Sequence, residues 1–246
     1  MQYDIAGRTV AMPVEVRDAS AGTAIYDVDA AGAAALLPPG DGFEVVESTP
    51  GRAQLVLAAI DYRDNDLGDY VELGITLFVR PRGDAVPANG SGGNSSGGEA
   101  DGEVGTFITR LPVNQEFTCV AGRTIWGFPK TVEDLSLAYK DDAAVMTLRM
   151  DSELVLRLTL PRGGDEVMPA TPMTTYTYID GAPHATPFTQ GGAGSQVLLG
   201  GDGVELELGT HRVADELADL GLATATPLLA TWTEHMRATF GTPTPL

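Results

Sequence analysis

The feature that most limits how this chain can fold is a succession of apolar, β-branched runs of strand length, each closed by a short polar or glycine-containing turn. "AQLVLAAIDYRD" and "DYVELGITLFVRPR" are almost continuously apolar, the pattern of strands buried on both faces. "TVAMPVEVRD" alternates apolar and polar residues, and "GFEVVEST" does so in part. "AVMTLRMDSELVLRLTLPR" reads as two strands joined across "MDSE". "PMTTYTYIDG" and "SQVLLGGDGVELELGTH" continue the pattern, the second with a hairpin turn at its Asp-Gly. Helices are expected at three places. "DVDAAGAAALLPPG" has Asp29 as N-cap and Pro38-Pro39 as a stop, "TPLLATWTEHMRATFG" has apolar residues at helical spacing, and "HRVADELADLGL" is the third. A chain of 246 residues suits one large domain, so the expectation is a single β-rich α+β domain over residues 1–246. The Gly/Ser/Asn-rich stretch at 89–105 reads as a flexible loop between strands. It has no Lys or Thr at P-loop spacing and precedes no helix.

Charge narrows the function. Asp and Glu number 34 against 15 Lys and Arg, a formal net charge of −19. That balance argues against nucleic acid, whose phosphates need clustered basic residues. An acidic surface with only two lysines, Lys130 and Lys140, fits a halophilic protein kept soluble at high salt, where screening weakens self-repulsion. No segment reaches the roughly 18–20 apolar residues of a membrane span, and the N-terminal residues show no apolar signal region. The expected location is cytoplasmic. A single cysteine, Cys119, excludes a disulfide within one chain, and it reads as buried in an apolar strand. His184, His211 and His235 are dispersed, so no zinc site is expected. Ser195 lacks nucleophile-elbow spacing, and Asp64 and Asp66 read as a solvated acidic turn.

One lysine stands out. In "AGRTIWGFPK", Lys130 follows Ile125, Trp126, Gly127, Phe128 and Pro129. A lysine must shed its proton to attack a carbonyl, and apolar surroundings lower its pKa. The same pattern also suits a lysine whose stem packs on apolar surface while its head reaches water.

"AGRTIWGFPK" resembles the signature of the acetoacetate decarboxylase family, a Gly-Arg followed by aromatic-Pro-Lys, in which the lysine forms a Schiff base. "GDYVELGITLFV" resembles the family's Gly-x-Tyr-x-Glu segment, and "TFITRLPVNQEFTCVAGR" its lead-in strand. "YDVDAAGAAALLPPGDGFEV" and "GTHRVADELADLGL" resemble further segments in the same order, so the resemblance spans nearly the whole chain. It implies a barrel- or cone-like mixed or antiparallel sheet with a few helices. It also implies a homo-oligomer and no cofactor, the lysine itself being the electron sink. Lys130 matches the Schiff-base lysine and Glu72 the pocket glutamate. Arg123, Arg17, Trp126 and Phe128 are the implied substrate-binding residues. The implied chemistry is decarboxylation of a β-keto acid, with aldol or dehydration chemistry on a pyruvate-like keto acid, or silent binding of a small ligand, as alternatives.

The departures concern charge. The resemblance implies a lysine activated by desolvation or by a neighbouring cation. Thr131 stands where the family's second lysine follows the first, and Thr124 where a glutamate follows the Gly-Arg. A second pocket glutamate is replaced near Leu57 or Ala58. If the acidic surface serves high salt, the protein loses its circular-dichroism signal when ionic strength is lowered. Full structure in dilute buffer would remove that reading.

Overall fold

The computed structural model describes residues 1–40, 42–82 and 103–246, so the glycine-rich stretch read at 89–105 lies outside the described residues up to 102. The chain opens with the hairpin β1 (Gln2–Ile5) and β2 (Arg8–Ala11), followed by the long strand β3 (Val14–Asp29). Asp29 caps α1 (Ala30–Ala35), accepting the Gly32 N–H at 2.7 Å, and the helix ends before Pro38 as expected. β4 (Phe43–Val45) and β5 (Glu47–Thr49) precede β6 (Arg52–Asn65) and β7 (Tyr70–Pro81). β8 (Gly105–Val113) runs into α2 (Glu116–Trp126). β9 (Lys130–Val132), β10 (Asp134–Tyr139), β11 (Ala143–Met150) and β12 (Glu153–Pro161) follow. β13 (Glu166–Ile179), β14 (Ala182–Leu199), β15 (Glu205–Leu208), α3 (Arg212–Asp219), β16 (Leu229–Phe240) and β17 (Thr244–Pro245) complete the fold.

β7, β6, β3, β16, β14, β13 and β8 are hydrogen-bonded in that order, and β8 pairs back to β7, closing a seven-stranded barrel. The β13–β8 pairing is parallel and the others in the ring are antiparallel, so the sheet is mixed. Closure leaves the ring without an open edge. A second sheet, in the order β10-β11-β12-β15, covers one outer flank.

The double burial of β6 and β7 explains their continuous apolar runs. Leu55, Leu57, Leu73 and Leu77 point outward and pack in one core with Met146, Leu148, Leu156 and Leu158 of the second sheet. The alternate residues, Val56, Ala58 and Ile60 on β6 and Gly74 and Thr76 on β7, face a cavity inside the barrel. α2 belongs to a second core, where Cys119, Ala121 and Ile125 cluster with Ile5, Val10 and Met236.

The structure corrects three expectations. Residues 229–240 form the strand β16, not a helix. The four-residue recurrence of Trp232, Met236 and Phe240 suits a helix, but in the strand bulges on either side of Met236 break the alternation, so Trp232 packs in the outer core and Phe240 lines the cavity. β16 lies between β14 and β3, so the sheet decides. The segment ending in "EFTCVAGR" is not all strand. Gln115 caps α2 by accepting the Thr118 N–H at 2.7 Å, which places Cys119 on a helix. The turn at "GGDG" is not a hairpin, because β14 joins the barrel and β15 the second sheet. By contrast, β11 and β12 do form the hairpin across "MDSE", with Asp151 and Ser152 at positive φ as a two-residue turn requires.

Arginine–carboxylate pairs tie neighbouring strands. Arg63 on β6 reaches Asp18 on β3 at 2.8 Å, and this hydrogen bond, helped by His235, holds the Asp18 carboxyl down at about 2. A depressed carboxyl stabilises the fold above its unfolded pKa and loses that contribution as pH falls through the folded value. Asp18→Asn is therefore expected to lower the urea midpoint above about pH 4, with the difference from the parent vanishing near pH 2. A constant difference across that window would exclude the linkage.

Candidate active site

The site begins with how α2 ends. Gly127 closes the helix in the left-handed region at φ 67°, and a Cβ there would lie 2.5 Å from the Tyr178 carbonyl oxygen, so only glycine fits. The Gly127 and Phe128 N–H groups donate to the Arg123 and Gly122 carbonyls, both at 3.2 Å. Across Pro129 the Lys130 N–H donates to the Phe128 carbonyl at 2.8 Å, a three-residue turn that sends the chain into β9 beside Leu111 of β8. Lys130 is thereby carried inward and is 4% exposed. Its stem lies against Gly122, where a Cβ would come within 2.6 Å of Cδ and 2.8 Å of Cε.

β7 supplies the partner. Tyr70 and Glu72 are two residues apart and share its inner face. Lys130 Nζ lies 2.8 Å from Glu72 Oε2 and donates to Thr118 Oγ1 at 3.0 Å. It also sits 4.7 Å from the centre of the Tyr70 ring. Tyr62 donates its hydroxyl to Glu72 Oε1 at 3.2 Å and stacks on Tyr70, with ring centres 4.4 Å apart. Glu72 Oε2 has no aligned hydrogen-bond donor among the described residues, so its contact with Lys130 is an ion pair of poor hydrogen-bond direction.

The electrostatics differ from the sequence expectation of a lysine depressed by desolvation. Burial does push the Lys130 pKa down, but the negative charge of Glu72 at 2.8 Å more than offsets it, and the net direction is upward. The resting lysine is an ammonium paired with a carboxylate. Burial, reinforced by Glu72, drives the Tyr62 hydroxyl well above its ordinary value, and burial raises Tyr70. Both therefore remain protonated hydroxyls beside the pair. Burial also raises Cys119, whose thiol rests against the Lys130 carbonyl at 3.4 Å.

The pair opens into the barrel cavity of about 300 Å³. A larger depression, about 1180 Å³, lies on the outer surface beside Tyr178 and Arg82, but no buried ion pair faces it. The smaller cavity is the better site because it joins enclosure to an ionisable pair. Trp126 and Phe128 line it, stacked at 5.6 Å, and the Trp126 indole N–H is held by the Gly241 carbonyl. Among the described residues no cluster of three His, Cys, Asp or Glu side chains is placed to hold a metal, and no helix is long and apolar enough to cross a membrane.

Two sequence-predicted residues fall elsewhere. Arg17 is half exposed and pairs with Asp64 at 2.8 Å and Asp66 at 2.7 Å. Val14 and Val16 take the inward positions of β3, so alternation turns Arg17 outward. This also corrects the reading of Asp64 and Asp66 as merely solvated. Arg123 is exposed on α2 and borders an outer depression with Arg110 and Arg212 that reaches Phe128 and Lys130 from the other side, while the face of α2 bearing Thr118 and Gly122 is the one turned to the Lys130 side chain. Near the replaced glutamate, Leu57 points into the outer core while Ala58 lines the cavity. Thr118, Tyr62 and the role of Gly122 were missed. Tyr70 was quoted only as part of a motif, although its spacing from Glu72 already placed the two on one face.

The structure is thus a closed β-barrel that encloses a lysine–carboxylate pair in a sheltered cavity. The family model described as acetoacetate decarboxylase (ADC) matches residues 5–242, and the chain belongs to that family. The acetoacetate decarboxylase of Legionella pneumophila has the same fold, with a TM-score of 0.66 and 19% identity over 96% of this chain and 88% of that one. An acetoacetate decarboxylase-like enzyme from Sphingomonas wittichii RW1 superposes with a TM-score of 0.55 at 17% identity, covering 98% and 96%. The enduracididine biosynthesis enzyme MppR complexed with pyruvate gives 0.57 at 14%, covering 98% and 92%. No curated protein matches the sequence.

Because the Lys130 stem occupies the space a Gly122 side chain would need, Gly122→Ala is expected to displace Nζ from Glu72. The rate of borohydride trapping at Lys130 should fall by roughly tenfold or more in a variant whose circular-dichroism spectrum shows that it is folded. An unchanged trapping rate would show that the close approach is not needed.

Proposed function

We propose that the protein is an imine-forming carbon–carbon lyase that decarboxylates a β-keto acid through Lys130. The observation that carries this reading is the Lys130–Glu72 ion pair enclosed in the barrel cavity. Glu72 takes a proton from the Lys130 ammonium, and the freed amine adds to the substrate ketone. Loss of water leaves a protonated imine. The bond between the α-carbon and the carboxylate then breaks, its electron pair passes into the iminium, and carbon dioxide departs. The enamine takes a proton at carbon, and water hydrolyses the product imine to release a ketone and restore the amine. Glu72 is the group placed to hold and return the proton. Trp126 and Phe128 supply apolar walls for the substrate.

Family membership supports lyase chemistry, and the cavity supports the β-keto acid in particular. Among the described residues lining it, Lys130 is the sole cation. In a β-keto acid one α-carbon separates the carboxylate from the carbon that becomes the imine, so the iminium charge formed on Lys130 lies close to the bond that breaks. We propose further that the protein is homo-oligomeric. Val167 and Leu199, 74% and 82% exposed, are apolar positions that a second copy would cover.

The test is borohydride reduction after incubation with acetoacetate, and separately with pyruvate, followed by peptide mass mapping. An adduct on Lys130 with carbon dioxide release from acetoacetate is expected, and Lys130→Ala should abolish both while still folding, since Glu72 can then take up a proton. Decarboxylation unchanged in that variant would sink the mechanism. Glu72→Gln removes the charge that raises Lys130 and leaves burial dominant. The pH profile of trapping should therefore shift to lower pH, with a reduced maximal rate because the proton acceptor is gone. A profile that stays in place would deny Glu72 control of the lysine.

A further inference from the structure

The cavity extends well beyond the reacting pair. On β7 its wall runs from Glu72 through Gly74 and Thr76 to Phe78, or about 20 Å of strand. On β6 it runs from Tyr62 through Ile60 and Ala58 to Val56. Just past Glu72, Ala58 and Gly74 are directly paired, so the wall is thinnest where a substrate would leave the lysine. A Cβ added to Gly74 would meet neighbours no nearer than 3.4 Å, and its φ is not positive, so neither backbone strain nor crowding requires glycine there. The space is left open.

The walls beyond that point are uncharged and mostly apolar, with the Thr76 hydroxyl and the Gln190 amide as further polar groups. Three other threonines face the cavity with their hydroxyls engaged. Thr23 bonds Thr231 at 2.7 Å, Thr106 bonds the Thr174 carbonyl, and Thr175 bonds the Thr106 carbonyl. Among the described residues lining the cavity, the charged side chains are Lys130 and Glu72, both at one end.

We propose that the substrate is a β-keto acid bearing a linear hydrocarbon tail, a medium-chain 3-oxo acid, with the tail lying along the Ala58–Gly74 groove towards Val56 and Phe78. This rests on the imine-forming reading above and adds the substrate's shape. Short keto acids leave the far half of the cavity unfilled. Substrates with a second, distant charge would bury it without a partner, at high cost.

The experiment measures carbon dioxide release and borohydride trapping for straight-chain acids from 3-oxobutanoate to 3-oxododecanoate. The kcat/KM is expected to rise about fourfold per added methylene until the groove is full. Ala58→Phe and, independently, Gly74→Val narrow the groove and should flatten that slope. Two variants are used so that misfolding of one leaves the other as the test. Trapping on Lys130 with a flat or falling chain-length profile would overturn the tail assignment while leaving the lyase reading intact. A rising profile that persists in a folded narrowed variant would also overturn it. Failure of every acid to trap Lys130 would overturn the lyase reading and this inference with it.

Discussion

The ion pair between Lys130 and Glu72 is the constraint around which the site is arranged. Two opposite charges are held almost fully buried, at 4% and 6% exposure, in a barrel cavity whose other described lining groups are uncharged. Each charge makes the other tolerable, since removing one partner of such a pair typically costs about 3–5 kcal/mol when the other stays ionised. Around the pair, Thr118 accepts from the ammonium, Tyr62 donates to the carboxylate, and the Tyr70 ring faces the cation.

The local backbone is shaped to make that contact possible. α2 must end at Gly127 because a side chain would strike Tyr178, and Gly122 must be bare because the lysine stem lies on it. The Gly-Arg and Pro-Lys pieces of the motif thus have separate steric tasks. The arginine between them has neither, and it points to the outer surface. Activation by a neighbouring cation is replaced here. Thr131 is exposed on β9, and the charge nearest Lys130 is negative.

The sheet was legible because β6 and β7 are apolar on both faces, and so was the reactive pair, because Lys130 and Glu72 lie in short, dense motifs. The helix expected at 226–241 shows where period counting fails, since a strand whose alternation is broken by bulges can carry the same four-residue recurrence. α2 was hidden by β-branched residues in "FTCV", and with it went Thr118 and the role of Gly122. Arg17 was misplaced because a match by order along the chain does not say to which face of β3 the side chain turns.

By itself the sequence determined a β-rich chain of strongly acidic charge, one apolar-flanked lysine and the carboxylate to which it answers. These follow from composition and from short-range order, which the chain carries locally. Only the tertiary structure decided the rest. Closure of β8 onto β7 made an interior, the strand register set Ala58 against Gly74, and the approach of β7 to β9 across β8 turned a lysine expected to be depressed into one that is raised. A pKa depends on the sum of burial and nearby charge, and that sum exists only once residues distant along the chain stand within a few ångströms of each other.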